Sequence, residues 1–205
     1  MFSFFKKKKP SFINTIYMTD AAKLNALFQL VKNAANTEAV LVFSSFEESL
    51  FELKRNAELQ GITCHEMTSV ADFNQGKVLN LLASVRLLEP SFSKPNAMAA
   101  VKVLGLEHYP ILKTNELLFD ACIKNYAKAV PVIYLSFDSP VMTIFGSDRI
   151  KEILGRLGMD PNESIEHSMI NDSIKNALEK VNGAVTFEKK TTSESEWYKM
   201  NYKSK

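Results

Sequence analysis

Short apolar runs rich in branched side chains alternate along this chain with stretches whose apolar residues recur every three or four positions. That alternation limits the fold more than any other feature. AVLVFS (residues 39–44) is a continuous apolar run after Glu38, as expected of a strand buried on both faces. ITCHEM (62–67), KVLNLLA (77–83), VKVL (101–104) and PVIYLS (131–136) read as four more strands. Between them lie helical faces: Leu24, Leu27, Phe28 and Val31; then Phe46, Leu50, Leu53 and Ala57; then residues 114–128. Ser45 with Glu48 three residues later predicts a capping box opening the second helix, and Gly61 predicts its left-handed close. A helical C-terminal region follows. Ile150, Ile153, Leu154 and Leu157 form one stripe, and Ile170, Ile174, Ala177, Leu178 and Val181 another. Asp160-Pro161-Asn162-Glu163 predicts a helix start. Strands without polar alternation, joined by helices, predict an α/β domain of three layers: a mostly parallel sheet between helices, with a helical C-terminal extension.

Three segments are expected. Residues 1–18 read as an N-terminal arm, 19–182 as the α/β domain, and 183–205 as a flexible tail, or one that docks through Trp197 and Tyr198 onto a neighbour. The chain of 205 residues suits one compact domain. Its formal charge of +2 includes Lys6, Lys7, Lys8 and Lys9, so the remainder carries −2 and gives no basic footprint for nucleic acid. In MFSFFKKKKPSF the apolar residues precede the lysines, the reverse of a secretory signal. The arm is either a solvated terminus or a weak membrane-surface anchor. In the second case Phe2, Phe4 and Phe5 would enter lipid while the lysines meet anionic headgroups. No run approaches the ~20 apolar residues of a membrane span. Cys64 and Cys122 make neither a disulfide framework nor a four-ligand zinc site, which fits a reducing cytoplasm.

Chemistry-bearing patterns are sparse. None of the seven glycines begins a phosphate-binding GxxxxGK[ST] or GxGxxG, and Gly155 and Gly158 fall at a predicted helix end. His65, His108 and His167 are scattered, Cys64 and His65 would face opposite sides of a strand, and Cys122 reads as a small core residue. No metal site and no nucleophilic triad is expected.

One segment is more specific. YLS (134–136), IFGSDRI (144–150), LGM (157–159) and IEH (165–167) fall in the order and spacing of a string that ends the second nucleotide-binding lobe of SecA, the motor ATPase of preprotein translocation. VLGLEH (103–108) resembles that family's VIGTERH, and residues 39–53 resemble its strand and following capped helix. The resemblance is strong over about residues 101–182, weaker over 19–100, and confined to this one lobe. It implies a RecA-like, P-loop NTPase-type lobe of the kind seen at helicase C-termini.

The departures bear on function. The family's QLRGRSGRQGD falls on LLFDACIKNYA (117–127). In the family its arginines reach ATP phosphates, where such a cation stabilises phosphoryl transfer. Phe119 and Ala121 stand at the first two arginine positions and Lys124 at the third; Asp120 and Ile123 replace glycines. The family's ATNMAGRGTDI falls near Leu81 to Ser91, where Arg86 is the one arginine and no glycine remains. The resemblance therefore implies a degenerate lobe with no catalytic residues and no cofactor. Arg86 and Lys124 are the residual candidates for binding a nucleotide. The expected function is a non-catalytic, cytoplasmic protein-interaction or regulatory module linked to preprotein translocation. Residues 84–100 and 114–128 are its candidate interface; Leu87, Leu88, Phe92 and Met98 either form a patch there or fill the old cleft. Two alternatives stand: half of a split ATPase, completed by a partner lobe and using Lys124 or Arg86 on ATP, and a weakly membrane-peripheral secretion accessory.

Overall fold

The computed structural model describes residues 12–90, 94–95, 99–144, 147–156 and 158–202. The candidate anchor residues Phe2, Phe4, Phe5 and Lys6 to Lys9 lie outside this set, as do Phe92, Met98 and Leu157.

A seven-stranded sheet organises the chain. Its strands are β1 (Ile13–Tyr17), β2 (Glu38–Ser44), β3 (Thr63–Glu66), β4 (Val78–Ala83), β5 (Ala100–Gly105), β6 (Val132–Ser136) and β7 (Ser164–Ile165), in the order β3-β4-β2-β5-β6-β1-β7. All neighbours are parallel except β1 and β7. β2 lies inside the sheet between β4 and β5, and from Ala39 onward every residue is buried. Its alternate side chains serve two cores. Leu41 and Phe43 face one, Val40 and Val42 the other, which is why the run lacks polar alternation.

Helices cover both faces. α1 (Asp20–Lys32) and α2 (Glu47–Leu59) bury Leu27, Phe28, Val31, Leu53 and Ala57 against one face. α3 (Ser84–Leu88), α4 (Leu112–Asn125) and α7 (Ser168–Ala184) cover the other with Leu87, Leu118, Phe119, Cys122, Ile174 and Leu178. α5 (Pro140–Ile144), α6 (Ser147–Arg156) and α8 (Glu194–Asn201) complete the chain. The five strands expected from the apolar runs all form. Gly61 closes α2 at φ +68°, a region open to glycine without a Cβ penalty.

Four expectations are corrected. The arm expected over 1–18 contains β1, which lies between β6 and β7; Ile16 is 1% exposed. Its polar residues are paired inside the fold: Asn14 Nδ2 donates to Asn171 at 2.8 Å, and Thr15 Oγ1 to Glu166 at 2.6 Å. The tail expected over 183–205 contains α8, capped by the Ser193 hydroxyl, with Trp197 wholly buried in this chain's own core. The capping box at Ser45 does not form. α2 starts two residues later with no side-chain cap, and the Ser45 amide donates to Glu107 instead. Asp160-Pro161-Asn162-Glu163 makes a turn into β7. There the Asp160 side chain accepts from the Asn162 amide at 2.7 Å, which competes with helix initiation. The Ile150 and Ile153 stripe of α6 stays largely open to solvent, while Leu154 packs on the core.

Candidate functional site

β2 and β5 are neighbours, yet the helices that follow them, α2 and α4, cover opposite faces of the sheet. A crevice must open where adjacent strands diverge in this way, at their C-terminal ends, and doubly wound folds hold ligands there. Ser44 ends β2 and Ser45 follows it, while Glu107 and His108 follow β5. Glu107 is 6% exposed. Its Oε1 accepts from the Ser44 hydroxyl at 2.6 Å and the Ser45 amide at 2.8 Å. Burial pushes its carboxyl above the usual range, against those two donors. Beside it Lys23 pairs with Asp20 at 3.0 Å. Asp20 is held below the ordinary carboxylate range: its burial is outweighed by Lys23 and by the Ser136 hydroxyl, which donates at 2.7 Å.

The C-terminal segment packs against this crevice, with Ser193, Glu194 and Ser195 lining it. The Thr192 carbonyl accepts the Glu48 amide, in the first turn of α2, at 3.1 Å. The Trp197 indole N–H donates to Glu188 at 2.7 Å, and the Tyr109 hydroxyl donates to the same carboxylate. The Tyr109 ring stacks on Phe46 at 5.9 Å and meets Trp197 edge-on at 6.3 Å. The remaining cavity, about 500 Å³, is lined by Asp20, Glu48, Glu52, Glu107 and Glu194 against the single cation Lys23. Even with Glu107 and Glu194 partly protonated, Asp20, Glu48 and Glu52 outnumber the one lysine among these lining residues and disfavour a polyphosphate. Sequence reasoning did not single out Glu107 or Ser44. Their signal is positional: polar residues just past the C-terminal ends of two buried strands.

The residues singled out from the sequence lie elsewhere. Arg86 is exposed on α3, and its Nη1 donates to both carboxylate oxygens of Glu89 at 3.0 Å. Lys124 is exposed on α4. It lines a second cavity, of about 720 Å³, with Glu89 and Asp120; Arg86 is not among the lining residues. The structure does not bring the two cations into one site. Phe119 is 9% exposed and packs in the core, while Ala121 is half-buried. Leu87 is buried beneath α3 and Leu88 is 46% exposed, so the expected patch divides between core and surface. Cys122 is also core, and burial pushes its thiol up to about 12. No cluster of potential metal ligands occurs among the described residues.

A mostly parallel sheet between two helical layers defines a three-layer α/β lobe. Its similarity to SecA, read above from motifs, is borne out by direct comparison. Over 87 residues, 42% of the chain, it is 33% identical to "Protein translocase subunit SecA" of Cellvibrio japonicus. It is 34% identical over 85 residues to the Campylobacter curvus protein of that name, and 31% over 87 to that of Clostridium kluyveri. The matches span about 10% of the length of these relatives. No family model matches. Among solved structures the chain is similar to the C-terminal part of the Fun30 ATPase domain, at 16% identity and a TM-score of 0.42, covering 78% of this chain and 55% of that one. No helix among the described residues is long and apolar enough to cross a membrane.

Proposed function

We propose that the chain is a non-catalytic lobe that acts by binding another protein, in a role linked to preprotein translocation. One observation carries the reading: Phe119, at a position where the SecA motif holds an arginine, is turned into the hydrophobic core. A guanidinium there would have to be buried among aromatic rings or would break α4 away from the sheet. The acid-rich crevice supports the same reading, since it disfavours a triphosphate. The interaction face would include the outer sides of α3 and α4, where Val85, Leu88 and Leu117 are about half exposed. A cytoplasmic location, with peripheral membrane contact through the N-terminal phenylalanines and lysines, belongs to the same proposal.

Phosphate release tests it. The purified chain should hydrolyse no ATP above background, alone or mixed with a candidate lobe that carries a phosphate loop. Turnover by the chain alone would overturn the proposal. Turnover only in the mixture, abolished by Lys124→Ala, would establish the split enzyme instead.

A further inference from the structure

The segment after α7 folds back over the crevice; it buries Trp197 and Tyr198 in the core, but among the described residues it makes few hydrogen bonds to the body. The Glu48 amide reaches the Thr192 carbonyl, and the Tyr109 hydroxyl reaches Glu188. Most of its other bonds are internal, such as Lys189 amide to Asn201 Oδ1 at 2.6 Å. The first residue of α8, Glu194, lines the same cavity as Glu107. Its Oε1 is shielded from solvent and has no hydrogen-bond partner. The groups around this pair are Asp20 and Lys23 from α1, Glu48 and Glu52 from α2, and Tyr198 of α8 with Tyr202 beyond it. Among the described residues Lys23 is the one cation lining this cavity, and Asp20 already claims it at 3.0 Å.

Glu107 is buried and the Glu194 Oε1 is shielded and unpartnered in the same cavity, beside one partly neutralised lysine, so docking disfavours ionising both carboxyls. We propose that residues 185–202 form a proton-operated latch, which closes the crevice while the Glu107–Glu194 pair retains a proton and opens when that proton passes to water. Opening would bare Phe46, Tyr109 and the start of α2. The inference does not depend on the proposed function.

The sign follows from the two states. Burial, reinforced by Glu107, raises the Glu194 carboxyl in the docked segment. In an open segment it would titrate in the ordinary range near ~4.3. The docked form therefore binds more protons, and docking weakens as pH rises above that range. For one linked proton the closed-to-open ratio falls by up to about tenfold per pH unit, until the pair's own titration is complete.

Trp197, the only tryptophan, is wholly buried in the closed segment and reports on it directly. The experiment is acrylamide quenching of the full chain at constant ionic strength across neutral pH, with far-UV circular dichroism recorded in parallel. Wild type should become more quenchable as pH rises, with unchanged dichroism. Glu194→Gln should stay protected and flat. Glu196→Gln, exposed in the same turn, should follow wild type. Flat wild-type quenching, or a wild-type slope in Glu194→Gln, would overturn the proposal. Should Glu194→Gln fail to fold, hydrogen exchange of wild-type α8 amides decides, after correction for intrinsic rates. Opening relative to β2 must grow with pH; a constant ratio overturns the latch.

Discussion

The ring of Phe119 stands edge-on to that of Phe12, with centroids 5.2 Å apart and planes at 89°. Phe12 immediately precedes β1 and also tilts against Phe43 of β2 at 5.9 Å. α4 is thus pinned to the sheet through an aromatic cluster at the position where the resemblance to SecA implies a catalytic loop. Truncation should be costly: Phe119→Ala is expected to lose about 3–5 kcal/mol. Phe119→Arg should destabilise at least as much without creating nucleotide affinity. Urea unfolding of both variants checks this, and a stable, ATP-binding Phe119→Arg would contradict it.

Removal of residues 1–18 should destroy the sheet, because β1 hydrogen-bonds β6 along five paired residues and also carries β7. The truncated chain should lose its cooperative thermal transition, and Ile16→Ala in the full chain should cost about 2–5 kcal/mol. Circular dichroism melts measure both. A truncated chain melting like the full one would show that β1 is dispensable.

β1 was illegible because its polar residues look solvent-facing in a local window. Asn14 and Thr15 are each 4% exposed, and their partners Asn171 and Glu166 lie about 150 residues away in sequence. The central strands needed no such partners: a run such as AVLVFS, buried on both faces, declares itself. The docking of α8 is legible only in part: Trp197 and Tyr198 mark a docking pair, but on a neighbour, whereas they pack into this chain's own core as part of a helix the sequence does not announce. What they dock on, Tyr109 and Glu188, depends on the fold. At the crevice the missed residues have the same origin. Ser45 reads locally as a helix cap, but the buried carboxylate of Glu107, 62 positions on, takes its amide. The motif resemblance sets Phe119 and Ala121 where it implies arginines. Whether these side chains face core or solvent is not legible from it.

His108 should give the protein an acid limb. The ring is 6% exposed, and its Nε2–H donates to Asn14 Oδ1 at 2.6 Å. Burial pushes its pKa from 6.5 down to about 4, against a weaker upward pull from Asn115. Below 6.5 the unfolded chain takes up a proton that the folded one refuses, so stability falls as pH drops through this window. The loss should reach about 3 kcal/mol by pH ~4. Chemical denaturation from neutral to acid pH should show this limb in wild type and a shallower one in His108→Gln. Equal slopes would contradict the assignment.

Trp197→Ala tests whether the C-terminal segment is part of the core. The side chain is 0% exposed and bonded to Glu188, so truncation should cost about 3–5 kcal/mol. A dangling tail would make the change neutral. Urea midpoints compared at equal slope distinguish the two.

If, as proposed above, the phosphate-gripping positions of a translocation motor have become apolar packing here, the folded chain holds no site for ATP. Thermal unfolding of the intact chain with and without millimolar MgATP tests it most directly, because a ligand that binds the folded state raises the midpoint by mass action. The account predicts superimposable transitions. An ATP-dependent rise in midpoint, abolished by Lys124→Ala or Arg86→Ala, would contradict it.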